Sequence, residues 1–183
     1  MAQPYSARSR AIEPFHVMAL LARANELQAA GHDVIHLEIG EPDFTTAEPI
    51  IKAGQAALSA GKTRYTAARG IPELRGAISG FYQQRYGLDI DPERIMITPG
   101  GSGALLLTSS LLVDPGKHWL LADPGYPCNR HFLRLVEGAA QLVPVGPDMR
   151  YQLTPDLVER YWDQDSVGAL VASPANPTGT VLS

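Results

Sequence analysis

Cysteine and lysine are scarce in this 183-residue chain: there is one cysteine, Cys128, and only three lysines, Lys52, Lys62 and Lys117. A single thiol excludes an internal disulfide and any cysteine-built zinc site, and it fits a reducing, cytoplasmic setting. Charged residues make up 19% of the chain and the formal net charge is −4, with the basic residues scattered. Neither nucleic acid nor an acidic membrane surface is expected as a partner of such a surface. No apolar run approaches the roughly 20 residues that span a bilayer, and no apolar stretch of a secretory leader follows Arg8 and Arg10. Repeats and low-complexity linkers are missing too. What is present is the 45% hydrophobic content of an ordinary globular chain with room for one core.

Hydrophobic periodicity and capping residues predict helices over 14–30, 47–60 (with Thr46 as N-cap), 72–87 and 102–112, a further one ending near Glu137, and one over 155–164 capped by Thr154. Strands are predicted over 34–39, 94–98, 118–122, 141–145 and 167–172. From Arg94 onward the rhythm is strand, turn, helix, which means βαβ units and a mostly parallel sheet. His32 and His36 fall on one face of the first predicted strand. A histidine pair alone more often serves structure than metal, so no metal site is assigned.

Three segments carry chemistry. The last is Ser173-Pro174-Ala175-Asn176-Pro177-Thr178-Gly179-Thr180, delivered by the apolar run 167–172. The carboxyl ends of parallel strands are where ligands bind, and prolines on both sides of Asn176 restrict its backbone. The amide is thus presented to a ligand oxygen. Thr98-Pro99-Gly100-Gly101-Ser102-Gly103-Ala104-Leu105 joins a strand to a helix N-terminus, where unpaired N–H groups and the helix dipole favour a phosphate. It lacks the Gly-Lys-Ser/Thr ending of a P-loop, and Leu106 takes the third glycine place of the dinucleotide fingerprint. A tight turn with Ser102 as N-cap is the plain structural reading. Gly100-x-Ser102-x-Ala104 also approaches a hydrolase nucleophile elbow, with Asp123 and His131 in the order that reading needs. Ala122-Asp123-Pro124-Gly125-Tyr126-Pro127 sets an aromatic ring at the same sheet edge, either to stack on a flat heterocycle or simply as a turn tyrosine. Lys62-Thr63-Arg64-Tyr65-Thr66 lies in a loop that spacing assigns to no site.

Together with Gly40-Glu41-Pro42-Asp43 and Gly70-Ile71-Pro72-Glu73-Leu74-Arg75, these segments, in this order, resemble the class I/II aminotransferases, fold type I pyridoxal-phosphate enzymes related to aspartate aminotransferase. The resemblance runs from about residue 14 to the end. It implies an α/β fold, the three-layer α-β-α large domain with a mostly parallel sheet, and pyridoxal 5'-phosphate as cofactor. It implies Gly101 and Ser102 at the cofactor phosphate, Tyr126 stacked on the pyridine ring and Asn176 bonded to the ring's phenolic oxygen. Tyr65 would reach the phosphate in the partner subunit of a homodimer, and Gly40 would lie near the substrate carboxylate. The substrates would be an amino acid and a 2-oxo acid.

The resemblance also implies residues that this chain does not offer. No lysine stands in the family's Schiff-base motif, so no catalytic residue is assigned. In the family that lysine lies downstream of the asparagine, as does the strand that pairs with 94–98. The chain therefore reads as an N-terminal portion: residues 1–45 as an arm and small-domain segment, residues 46–183 as an incomplete cofactor-binding domain, inactive alone. A lyase on the same scaffold, or a non-catalytic cofactor-binding or dimerising module, are the other readings. Substrate identity is not encoded in these segments.

Overall fold

Apolar runs bounded by glycine and proline build the sheet. In the computed structural model, which describes residues 5–182, β1 (His118–Asp123), β2 (Ala139–Pro144) and β3 (Ser166–Leu170) pair in parallel in the order β2-β1-β3. The helices in chain order are α1 (Ala7–Arg10), α2 (His16–Ala29), α3 (Glu48–Ser59), α4 (Pro72–Tyr86), α5 (Gly100–Leu112), α6 (Asn129–Leu135) and α7 (Pro155–Tyr161). The chain divides into two compact units: Ile35–Gly100, and the described residues of Met1–Val34 with Gly101–Ser183.

The second of these holds the sheet. Alternation along β1 sends Trp119 and Leu121 to one face, where they meet Val113 and Leu133 of the α6 side, and Leu120 to the other. There Leu120 packs with Val143, Val145 and Leu153, and Leu157, Val158 and Tyr161 of the α7 side close over them. Helix, sheet and helix thus form the three expected layers. The topology explains why the helices take opposite faces. The crossover from β1 to β2 and the return from β2 past β1 to β3 run in opposite directions, and right-handed connections then fall on opposite sides. Leu120 and Val143 are fully buried and Leu133 nearly so; each such side chain contributes about 1.5–3 kcal/mol on leaving water. Polar contacts gather at the amino ends of the strands, where Lys117 Nζ meets Asp165 at 2.8 Å and His118 Nε2 meets Ser166 Oγ at 2.8 Å. The carboxyl ends are left for the loops.

In the 35–100 unit, Pro72 opens α4 and Gly87 closes it in the left-handed conformation at φ 68°, a geometry that glycine adopts without penalty. Arg75, buried on α4, donates to the Pro92 carbonyl at 2.9 Å and to Glu93 at 2.8 Å, while Arg69 pairs with the same carboxylate. These arginines, Arg75 first, hold the Glu93 carboxyl below the usual carboxylate range.

Two predicted strands are not formed. Residues 34–39 join no strand ladder among the described residues, with Ile35 and Leu37 largely exposed, and residues 94–98 make none either. Ile97 N–H bonds the Arg69 carbonyl at 3.1 Å instead. Alternation describes a strand's faces, but pairing makes the strand. Thr46 does not cap α3: its N-cap is Ala47, with no side-chain bond. Thr154 does cap α7, accepting from Leu157 N–H. That helix stops at Tyr161, short of 164, because Ser166 Oγ accepts from Asp163 N–H and the Asp163 carboxylate accepts from Asp165 N–H in a turn. No described helix is long and apolar enough to cross a membrane.

Candidate functional site

At the carboxyl ends of the strands, β1 sends its chain to the α6 face and β2 to the α7 face, so a crevice opens between the departing loops. A cleft of about 250 Å³ occupies this place. Its wall takes Ala122 to Pro127 from the loop after β1, Tyr151 and Gln152 from the loop after β2, and Ala172, Ala175 and Asn176 from the loop after β3. Tyr126 and Asn176, 50 positions apart in the chain, therefore share one cavity.

Tyr126 is held from two sides. Phe15 packs edge-to-face against its ring, with centroids 6.3 Å apart. A hydrogen bond with the Cys128 thiol, then burial, then the Cys128 charge push the phenol above its ordinary range. Gly125 lies so close under the Ala122 carbonyl oxygen that a Cβ there would collide with it. This glycine is what lets the loop fold back and offer the tyrosine.

The Asn176 loop is closed on itself. Ala175 N–H bonds the Thr180 carbonyl at 2.8 Å and Gly179 N–H bonds the Ala175 carbonyl at 2.7 Å. Leu182 N–H reaches back to Ser173 Oγ at 3.0 Å.

Gly101 and Ser102 stand in the first turn of α5, which begins at Gly100, so Ser102 is inside the helix and not its N-cap. Backbone donors of a first helical turn have no partner within the helix, and space around Gly101 is open. These two residues are not part of the cleft wall. Tyr65, fully exposed, and Gly40 belong to the Ile35–Gly100 unit. The hydrolase reading fails on geometry: a nucleophile elbow needs a strand before it, and 95–99 form none. His131 opens onto a separate hollow with Arg134 and Gly138. His36 Nδ1 meets Glu38 at 2.7 Å, and no metal-holding cluster occurs among the described residues.

The cleft contains residues that the sequence reading did not single out. Arg130 reaches it from α6 while its guanidinium is paired with Glu13 at 2.7 Å, and Tyr151 and Gln152 follow the carboxyl end of β2. The same strand-end rule that pointed to Asn176 points to these two. Their segment lacked any motif to draw attention to it.

The family model for aminotransferase class I and II matches residues 32–183. The chain belongs to the class I and II aminotransferases. It is 40% identical over 171 residues to a valine–pyruvate aminotransferase of Mycobacterium tuberculosis, an alignment covering 93% of this chain and 44% of that protein. It is 42% identical over 170 residues to a (5-formylfuran-3-yl)methyl phosphate transaminase of Methanocaldococcus jannaschii, with the same coverage. Among solved structures, the crystal structure of an aminotransferase from Mycobacterium tuberculosis superposes with a TM-score of 0.93 at 38% identity, covering 99% of this chain and 46% of that one. The aspartate aminotransferase of Thermus thermophilus with maleate gives 0.89 at 33% identity, covering 96% and 46%. The chain thus spans a little under half the length of these relatives.

Proposed function

We propose that this chain forms part of a pyridoxal-phosphate-dependent aminotransferase that moves an amino group between an amino acid and a 2-oxo acid. The observation that carries the proposal is the meeting of Tyr126 and Asn176 on one strand-end cleft. An aromatic platform and a fixed amide donor are what a flat hydroxypyridine needs. When bound, the cofactor supplies an electron sink for the substrate's α-carbon. Tyr126 stacks on the ring and keeps it from water. Asn176 donates to the phenolic oxygen and favours its ionised form. Gly101 and Ser102 offer first-turn donors to the phosphate. Tyr65 serves the phosphate of a neighbouring subunit in a homodimer, and Gly40 lies near the substrate carboxylate. Residues 1–45 act as arm and small-domain segment and 46–183 as the cofactor-binding portion, in a cytoplasmic enzyme.

None of the three lysines suits the covalent role, and Lys62 lies exposed in the loop after α3. Lys52 pairs with Glu48 on exposed α3. Lys117 is bonded to Asp165, which holds its amine above the ordinary lysine range, the reverse of what a nucleophile needs. The chain alone therefore binds the cofactor without turning over. The test is borohydride reduction with pyridoxal phosphate followed by peptide mapping. Label spread thinly over the lysines supports this reading, and stoichiometric label at one lysine overturns it. In protein extended to the family's length, transfer of ¹⁵N from an amino acid to a 2-oxo acid is expected; release of ammonia or carbon dioxide instead would identify a lyase.

A further inference from the structure

We infer that Gln152 is a positioning residue that sets the Asn176 amide for the cofactor's phenolic oxygen, an inference that rests on the cofactor reading of this cleft. Gln152 is buried at 7% exposure and stands on the cleft wall beside Asn176. Its single amide nitrogen faces three acceptors across the Asn176 loop: the Ala172 carbonyl at 3.3 Å, the Thr180 carbonyl at 2.9 Å and Thr180 Oγ1 at 3.1 Å. Ala172 is where the chain leaves β3, and Thr180 is where the loop closes.

The Thr180 carbonyl is shared. It accepts from Gln152 and also from Ala175 N–H, the bond that shuts the loop around Asn176. One buried side chain from the loop after β2 thus ties both the entrance and the closure of the loop after β3. Prolines on either side of Asn176 narrow its local backbone, but they do not fix where the loop stands relative to the cleft. Gln152 does, and among the described residues no other side chain of the cleft wall bonds both ends of this loop.

An apolar residue of the same length removes the donor while still filling the buried space, so Gln152→Met separates position from packing. The probe is 4-deoxypyridoxine 5'-phosphate, which lacks the aldehyde and so reports the ring site without lysine chemistry. Three quantities are compared in wild type, Gln152→Met, Asn176→Ala and the double variant: affinity, the pH at which the bound phenol ionises, and hydrogen exchange at Ala175 and Gly179. Gln152→Met is expected to weaken binding about tenfold, the worth of one well-made hydrogen bond. It should also raise the phenol's ionisation pH and speed exchange at both amides. Asn176→Ala should give the same affinity loss, and the double variant no more than either. Thr180→Val, which takes away only one of the three acceptors, should lie between. Unchanged phenol ionisation and unchanged exchange in Gln152→Met overturn the inference, even if its urea midpoint falls. If the wild type binds no analogue, the cofactor reading fails, and the exchange comparison alone decides whether Gln152 holds the loop.

Discussion

Replacing Gly125 by alanine adds one methyl group where the Ala122 carbonyl oxygen already stands. The obstacle is backbone at the carboxyl end of β1, so no side chain can swing aside, and the 123–127 loop itself must shift. Overpacking of this kind costs about 1–3 kcal/mol. The residue next along the loop is Tyr126, so its ring moves with the backbone and its edge-to-face contact with Phe15 is disturbed. Losing a stacked ring costs a further ~0.5–1.5 kcal/mol of ligand affinity, which is between about two- and tenfold. The assay pairs urea unfolding with titration of 4-deoxypyridoxine 5'-phosphate, using Tyr126→Phe as the reference. That reference removes only the hydroxyl, so it should keep most of the affinity while Gly125→Ala loses it. Equal affinity and an equal urea midpoint in Gly125→Ala and wild type would refute the argument that this glycine delivers the ring.

Other perturbations have equally definite outcomes. Leu133→Ala opens the core beneath α6, where the side chain is 1% exposed, and should lower unfolding free energy by about 2–5 kcal/mol in urea titrations. Thr154→Ala removes the cap of α7 and should cost about 0.5–2 kcal/mol by the same measure. Because Arg75 and Arg69 depress the Glu93 carboxyl, their pairing stabilises the 35–100 unit above the unfolded glutamate value of about 4.3. That stability is lost as pH falls through the lower folded value. Amide exchange at 90–97 should rise over this acid window in wild type, and the rise should be absent in Glu93→Gln.

The parallel sheet was legible from residue 118 onward because each strand there has its partner within the chain, so apolar runs and turn residues tell a consistent story. The 34–39 and 94–98 segments have strand-like sequences but join no ladder among the described residues, and a strand-like sequence alone does not make a ladder. Tyr126 and Asn176 were legible because both follow strand ends and stand between glycine or proline. Gln152 was not, since its importance lies in acceptors 20 to 28 residues away that no local pattern announces. The membership of Arg130 in the cleft depends likewise on a helix placed by tertiary packing.

In the proposed function one cleft, walled by Tyr126 and Asn176, takes the cofactor ring while the first turn of α5 takes its phosphate. Titrating ¹⁵N-labelled protein with 4-deoxypyridoxine 5'-phosphate and following resolved amide signals tests it most directly. The account predicts that the Asn176 side-chain amide and the Gly101 and Ser102 backbone amides shift together along one saturable curve, and that Asn176→Ala weakens that curve about tenfold. Saturation that moves Gly101 and Ser102 but leaves Asn176 and Tyr126 unchanged, or no saturation at all, would contradict it.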